Sequence, residues 1–167
     1  DHPGRAPIEV DPEAPADQAR LIDWLRPIWP EDAPAPVAVV RAPGRPLTDE
    51  SVPYVSLIGT ASLADLSARA GVPLSARRFR ANLWAEGWAP LAELDLIGRD
   101  IRVGGAVLRP VARIGRCRAT DANPETGRRD IDMLPLLERS YGHTDLGVFC
   151  TVVEGGAITR GDRVEVL

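Results

Sequence analysis

A cysteine stands between two arginines in the segment RIGRCRATDANPETGRRD, residues 113–130. This cysteine, Cys117, is one of only two in the chain, and Arg116 and Arg118 flank it. Nearby guanidinium groups favour the thiolate, the form of cysteine that attacks electrophiles or binds metal. Thiolate is a soft ligand that suits a transition metal. The alternative is an inert, half-buried cysteine, because both arginines point away from Cys117 if the segment is extended.

Two further stretches could bind an anion. Residues 59–62 place small side chains at the start of a predicted helix, where free backbone N–H groups and the helix dipole attract phosphate. If residues 79–85 form a strand, Arg78, Arg80 and Asn82 lie on one face, and their side chains could grip a phosphate. The alternatives are a capped helix with nothing bound and a solvated sheet face.

The other potential metal ligands form no pattern. Cys150 lies in the apolar run VFCTVV and is predicted to be a structural residue of a strand. One histidine near scattered cysteines lacks the spacing of a zinc site. Two cysteines make no disulfide framework, so a reducing cytoplasmic location is expected.

Composition limits the classes of function. The hydrophobic content of 44% and the charged content of 26% are ordinary for a globular domain. The longest apolar runs are too short to span a membrane. The net charge of −4 gives no reason to expect nucleic-acid binding. All 20 basic residues are arginine, so this chain has no Schiff-base or P-loop lysine.

The elements that position these residues follow from apolar spacing and turn residues. Helices are predicted over 17–26, 63–70 and 132–141, with Ser62 as the N-cap of the second. Strands are predicted over 37–41, 52–58, 79–85, 101–103, 106–114, 147–153 and 162–167. Glycine pairs at 104–105 and 155–156 are predicted to join the strands on either side, and 30–36 and 42–50 are predicted loops. Many short strands with few helices indicate a β-rich α+β fold or barrel.

Five segments, in their order along the chain, resemble the MOSC family, the domains related to the C-terminal part of molybdenum-cofactor sulfurase. The segments are SLIGTASLADLSAR, RRFRANL, LIGRDIRVGGAVL, RCRATDANPETG and GVFCTVVEGGAITRGDRVEVL. The resemblance covers residues 54–167 as the MOSC core domain. Residues 1–53 would then be a remnant of an N-terminal MOSC-type β-region, with one amphipathic helix and a linker. The resemblance implies a MOSC-type β-barrel with a few flanking helices that binds a molybdenum cofactor (molybdopterin).

The resemblance also assigns roles by position. Cys117 matches the cysteine that ligates molybdenum, so it is the predicted metal ligand and catalytic residue. The predicted cofactor-binding residues are Thr60, Ala61, Ser62, Arg78, Arg80, Asn82, Thr120 and Asp121. The first three match the stretch that holds the pterin phosphate, and FRAN matches an FRPN-type motif, with Arg78 added from the shared strand face. Asp121 departs from the family's Thr-Thr pair, and Ile114 stands where many relatives have a second cysteine.

The implied function is that of a molybdenum-dependent oxidoreductase reducing N-hydroxylated or related N–O or S–O small molecules. The chain has no iron–sulfur or flavin pattern, so a separate electron-donor protein is the expected partner. One alternative is a non-catalytic carrier of the cofactor or of sulfur. Another is a β-rich interaction domain without a cofactor. Neither nucleic acid nor a membrane is an expected partner.

Overall fold

The structure is a computed structural model that describes residues 2, 4–31, 33–41, 44 and 50–167. The chain forms two compact units, residues 1–49 and 50–167. Every predicted site residue lies in the second unit. Most of the loop predicted over 42–50, and residue 32 of the other predicted loop, lie outside the described residues. The interpretation of residues 1–53 as a remnant stays a prediction.

The first unit contains helix α1, Pro15–Leu25, which continues into a 3-10 helix, Arg26–Ile28. The indole Nε1 of Trp24 in α1 donates to the Ala6 carbonyl at 2.9 Å. The strand predicted over 37–41 is wrong, because these residues form no strand and two of their three valines, Val37 and Val40, are exposed. A strand needs a neighbouring backbone to satisfy its polar groups, and the described residues of this unit include no other strand.

The second unit is built on one mixed sheet, which has six strands among the described residues. The strands are β1 Val55–Gly59, β2 Leu83–Ala85, β3 Ile101–Val103, β4 Ala106–Gly115, β5 Asp145–Glu154 and β6 Val164–Val166. Their order across the sheet is β2-β1-β5-β4-β3-β6, with β1 and β2 parallel and the other neighbours antiparallel. The sheet curls into a half-barrel, so the fold is β-rich α+β, as expected.

Successive residues of a regular strand point to opposite faces of the sheet, and each face has its own apolar core. A register shift between Arg113 and Gly115 in the β4–β5 pairing interrupts this alternation in β5, so that Leu146 and Val148 lie on different faces. On one face, Ile58 of β1 and Leu146 of β5 pack with residues of helix α2, Thr60–Ala70, and helix α3, Met133–Tyr141. On the other face, Leu57 packs with strand residues that include Val148 and Cys150. The sheet is therefore buried on both faces where β1 meets β5, the part from which the candidate site projects.

Two predicted strands differ from the structure. Residues Ala76–Arg78 form a 3-10 helix and Arg80 has a left-handed backbone with φ of 50°, so only Leu83–Ala85 of the predicted strand is extended. The last strand, β6, was predicted to join β5 through the 155–156 turn but pairs with β3. Both edges of β5 are already taken by β1 and β4, which leaves no edge for β6.

Candidate functional site

The predicted thiol site and the predicted anion site both follow strands that end beside the start of β5. Strand β1 ends at Gly59, and β4 ends at Gly115, which is paired with Asp145. Strand β5 runs antiparallel to both neighbours. The C-terminal ends of β1 and β4 therefore lie together, beside the N-terminal end of β5. Thr60 and Cys117, which come directly after these ends, are therefore brought to one side of the half-barrel.

The thiol of Cys117 is exposed while its backbone is held in place. Its carbonyl accepts from the Thr120 N–H at 3.1 Å and from the Thr120 hydroxyl at 2.8 Å, at the start of a 3-10 helix, Arg118–Asp121. Cys150 is fully buried, and burial raises the pKa of its thiol to about 12. The prediction that Cys150 is a buried strand residue is confirmed, which leaves Cys117 as the accessible thiol.

The two arginines beside Cys117 point in different directions. Arg118 is exposed, and its Nε lies 3.4 Å from an Asp121 carboxylate oxygen. Arg116 turns into the protein, where its Nη1 donates to the Phe79 carbonyl at 3.1 Å and its Nε to the Leu146 carbonyl at 2.9 Å. Burial lowers the pKa of Arg116 to about 10, so the group keeps its charge at neutral pH. Arg116 is therefore a structural link between the cysteine segment and two other segments.

The approach of Arg116 depends on a glycine in β5. Gly147 has φ of +82°, and a Cβ there would lie 2.7 Å from the Leu57 carbonyl oxygen, 2.6 Å from Ile58 Cγ1 and 3.4 Å from Arg116 Nη2. Any larger residue would meet backbone from β1, which cannot yield as a side chain can. Glycine thus lets β1, β5 and the Arg116 guanidinium meet closely.

Thr120 and Asp121 are both buried, and their side chains have partners within the protein. The Thr120 hydroxyl bonds the Cys117 carbonyl, and the Asp121 carboxylate accepts from the Met133 N–H at 3.0 Å. Met133 is the first residue of α3, so Asp121 caps this helix from another segment. The contact of these residues with a cofactor stays a prediction.

Arg78 is buried rather than displayed on a strand face, so the prediction of a shared face with Arg80 and Asn82 is wrong. Its Nη1 donates to the Asp121 carbonyl at 3.0 Å and, more weakly, to the Thr120 carbonyl at 3.4 Å. Its Nη2 donates to both oxygens of the Asp130 carboxylate at 2.7 and 2.9 Å. Hydrogen bonds from Asn123 and then Arg78 lower the pKa of Asp130.

Arg80 and Asn82 differ in availability. Asn82 Oδ1 accepts from the Ser56 N–H at 2.9 Å and from the Ser56 hydroxyl at 2.8 Å, which ties the start of β2 to β1. Arg80 is exposed, and its guanidinium has no partner among the described residues. Arg80 and Asn82 are both exposed, but the Asn82 side chain is already bonded to Ser56 through Oδ1, whereas no atom of the Arg80 guanidinium is bonded to a described residue.

The N-terminus of α2 is left without a side-chain cap. The helix begins at Thr60 with Gly59 at the N-cap position, so the prediction of Ser62 as N-cap is wrong. The buried Ser62 hydroxyl instead donates to Glu93 Oε2 at 2.8 Å and accepts from the Leu91 N–H at 2.9 Å. The N–H groups of the first turn, from Thr60 and Ala61 onward, are therefore left without a capping oxygen from a side chain.

Sequence reasoning missed Glu93 and the structural use of Arg116. Glu93 is fully buried, and its Oε1 has no partner among the described residues. Its sequence context, LAELDLIG, marks it as an ordinary surface carboxylate, so no local signal identifies it. Arg116 was noticed beside Cys117, but the carbonyls that it binds lie more than 25 residues away in either direction.

Two negative findings limit the chemistry of the described residues. They contain no group of three or more His, Cys, Asp and Glu side chains that could hold a metal ion. None of the helices in the described part of the chain has the length and apolar character needed to cross a membrane.

Comparison with known proteins gives consistent results. A family model described as MOSC domain matches residues 50–165. Mitochondrial amidoxime-reducing component 1 of Xenopus laevis is 30% identical over 122 residues, which is 66% of this chain and 35% of that protein. The crystal structure of YiiM from Geobacillus stearothermophilus is similar in fold, with a TM-score of 0.53 and 19% identity over 68% of this chain and 53% of that one. The chain thus spans about a third of the curated relative and about half of the structural one.

Proposed function

The chain belongs to the MOSC domain family, and on that premise we propose that it binds a molybdenum cofactor and reduces N-hydroxylated or related N–O or S–O compounds. The name of the amidoxime-reducing relative supports this class of substrate. The observation that supports this most directly is that the exposed thiol of Cys117 and the exposed guanidinium of Arg80 lie on two segments that are hydrogen-bonded to each other. The Arg80 guanidinium has no partner among the residues that the structure describes.

The chemistry of the available groups fits this cofactor. A thiolate suits molybdenum as a soft ligand. The Arg80 guanidinium and the uncapped first turn of α2 suit the phosphate of the pterin. The side chains of Ser62 and Arg78 are engaged within the protein, and Asn82 is bonded to Ser56 through Oδ1, so we assign these residues to holding the pocket in shape.

The proposed reaction needs an external source of electrons. Converting an N–OH group to N–H consumes two electrons and two protons and releases one water molecule. The bound cofactor supplies the redox chemistry of this step, while the protein binds and orients it. We propose that the electrons come from a separate redox protein, because the chain has no cysteine pattern for an iron–sulfur cluster.

Metal analysis of purified protein tests the first half of the proposal, with about one molybdenum per chain expected for a single site. Absence of molybdenum after expression in a host that makes the cofactor, or after reconstitution, would overturn cofactor binding. Reduction of benzamidoxime with reduced viologen as artificial donor tests the second half. If the protein retains molybdenum but reduces no N–O or S–O compound, the proposal of an enzyme fails and the protein is a cofactor carrier instead.

A further inference from the structure

Two segments carry the two ends of the proposed pocket. The first, residues 78–80, is called the arginine segment and ends at Arg80. The second, residues 116–121, is called the thiol segment and contains Cys117. The structure links these segments by two arginines, one from each segment: Arg78, which is buried, and Arg116, which is partly buried.

Arg78 reaches from the arginine segment to the thiol segment. Its side chain is 6% exposed; Nη1 donates to the carbonyls of Asp121 and Thr120, and Nη2 donates to both carboxylate oxygens of Asp130. The Asp130 N–H in turn donates to the Asp121 carbonyl at 3.1 Å. Thr120 is bonded to the Cys117 carbonyl, so Arg78 fixes the 3-10 helix on which the cysteine backbone rests.

Arg116 reaches in the opposite direction. It precedes Cys117 and donates to the carbonyl of Phe79, which precedes Arg80. Its guanidinium also lies 5.4 Å from the centre of the Phe79 ring and bonds the Leu146 carbonyl of β5. The Phe79 ring is buried among residues of both helices and the sheet, so this contact is anchored in the core.

We propose that Arg78 and Arg116 form a reciprocal brace that fixes the separation of Arg80 and Cys117. A planar guanidinium binds two acceptors at fixed angles, which lysine cannot do. A ligand that reaches both ends gains affinity only when the ends are held at the matching separation. The two arginines are therefore positioning residues for the cofactor, a role that rests on the proposed function.

The neighbours of the two brace residues provide matched controls. Arg77 and Arg118 are exposed, with side chains 68% and 67% accessible. Arg77 pairs with the exposed Glu125, and Arg118 makes one long contact, 3.4 Å, with the buried carboxylate of Asp121. The experiment compares Arg78→Lys and Arg116→Lys with Arg77→Lys and Arg118→Lys in the full chain. Each substitution keeps the positive charge, so differences report the loss of the guanidinium fork.

The first measurement uses protein without cofactor. The Phe79 amide donates to the Ala76 carbonyl and the Thr120 amide to the Cys117 carbonyl. Hydrogen exchange at both amides is expected to accelerate about tenfold or more in both brace variants. Exchange in the two controls is expected to match the wild type. Unchanged exchange in the brace variants would overturn the brace, whether or not the wild type binds molybdenum.

The second measurement separates positioning from general loss of structure. Binding of inorganic phosphate and alkylation of Cys117 by iodoacetamide each report one end, and both are expected to stay within about twofold of wild type. Molybdenum retained after reconstitution reports both ends together and is expected to fall about tenfold or more. If the brace variants retain as much molybdenum as the controls, the proposal is overturned. It is also overturned if phosphate binding, Cys117 alkylation and molybdenum retention all fall together with the melting temperature. If wild type retains no molybdenum, the proposed function fails, and the exchange measurement alone decides the brace.

Discussion

At the scale of single residues, the two cysteines occupy opposite environments. Cys117 is exposed at the end of β4, whereas Cys150 is fully buried in β5. Burial raises the pKa of the Cys150 thiol to about 12, so this sulfur stays protonated and unreactive at neutral pH. The difference allows each cysteine to be tested separately.

Cys117→Ser is expected to abolish molybdenum retention while leaving the folded state unchanged, because a hydroxyl is a poor substitute for a soft thiolate. Cys150→Ser is expected to cost about 1–3 kcal/mol of unfolding free energy, because it places a hydroxyl in an apolar strand. Metal analysis and urea unfolding check both results. Loss of metal in Cys150→Ser but not in Cys117→Ser would reverse the assignment.

Arg80→Ala is expected to weaken cofactor binding more than Arg129→Ala. Arg80 is exposed beside the arginine brace, whereas Arg129 lies on the loop that pairs with Ala122 and is solvated. A charge-assisted contact to phosphate contributes about 1.5–3 kcal/mol, which is roughly tenfold to hundredfold in affinity. Titration of the apoprotein with cofactor measures the difference, and equal, small effects of both substitutions would count against the pocket.

At the scale of elements, the N-terminus of α3 depends on a residue far from it in sequence. Asp121, rather than the adjacent Asp132, accepts the hydrogen bond from the Met133 N–H. This bond connects the thiol segment to a helix whose residues Leu136 and Leu137 are buried in the core. Asp121 therefore has a structural role, which is to stabilise the start of α3.

Asp121→Ala is expected to lower the unfolding free energy by about 1–3 kcal/mol, because it leaves a buried N–H without an acceptor. Asp132→Ala is the matched control and is expected to change it by about 0.5 kcal/mol or less, because that exposed side chain makes no capping bond. Denaturant unfolding measures both. A larger effect for Asp132 would show that the helix is capped differently.

Asp65 links α2 to α3 in a way that depends on pH. Its carboxylate accepts from Arg69 at 2.7 Å and from the Tyr141 hydroxyl at 2.8 Å, and these bonds, with Arg69 the larger cause, lower the pKa of Asp65. A carboxyl whose pKa is lower in the folded state stabilises the fold above the ordinary carboxyl pKa. That stability is lost as the pH falls through the lowered folded pKa.

Asp65→Asn is therefore expected to be less stable than wild type at neutral pH, with the difference shrinking as the pH falls below about 4. Urea unfolding of both proteins across this range measures the effect. Glu138→Gln, which removes an exposed carboxyl from α3, serves as the control and is expected to show no such trend. If the difference in unfolding free energy between the two proteins is the same at every pH, the ionised Asp65 carboxylate is not its cause.

At the scale of the whole second unit, stability is expected to be greatest at the centre of the half-barrel. Strand β5 is bonded to neighbours on both sides, whereas β6 has three residues and, in the described part of the chain, pairs with β3 alone. Amides of residues 146–150 are expected to exchange about a hundredfold more slowly than those of 164–166, because edge strands open without disturbing the core. Hydrogen-exchange mass spectrometry checks this order, and equal protection of both strands would contradict it.

The sequence alone determined the features that depend on near neighbours. The apolar spacing and the following glycines placed the C-terminal ends of α2 and α3, and Gly104 with Gly105 marked the turn between β3 and β4. Turn residues and helical periodicity act within a few residues, so a short window contains their whole signal. The ordered motifs likewise pointed to the family and to Cys117.

Only the tertiary structure decided which polar groups are free. The segment RRFRAN contains three arginines, and nothing local shows that Arg78 is buried against carbonyls more than 40 residues away while Arg80 stays exposed. In the same way, Ser62 is a good N-cap by type, but a buried Glu93 from a distant segment takes its hydroxyl. The pairing of a buried polar group is set by whichever partner the fold brings within about 3 Å, and a linear pattern does not contain that distance.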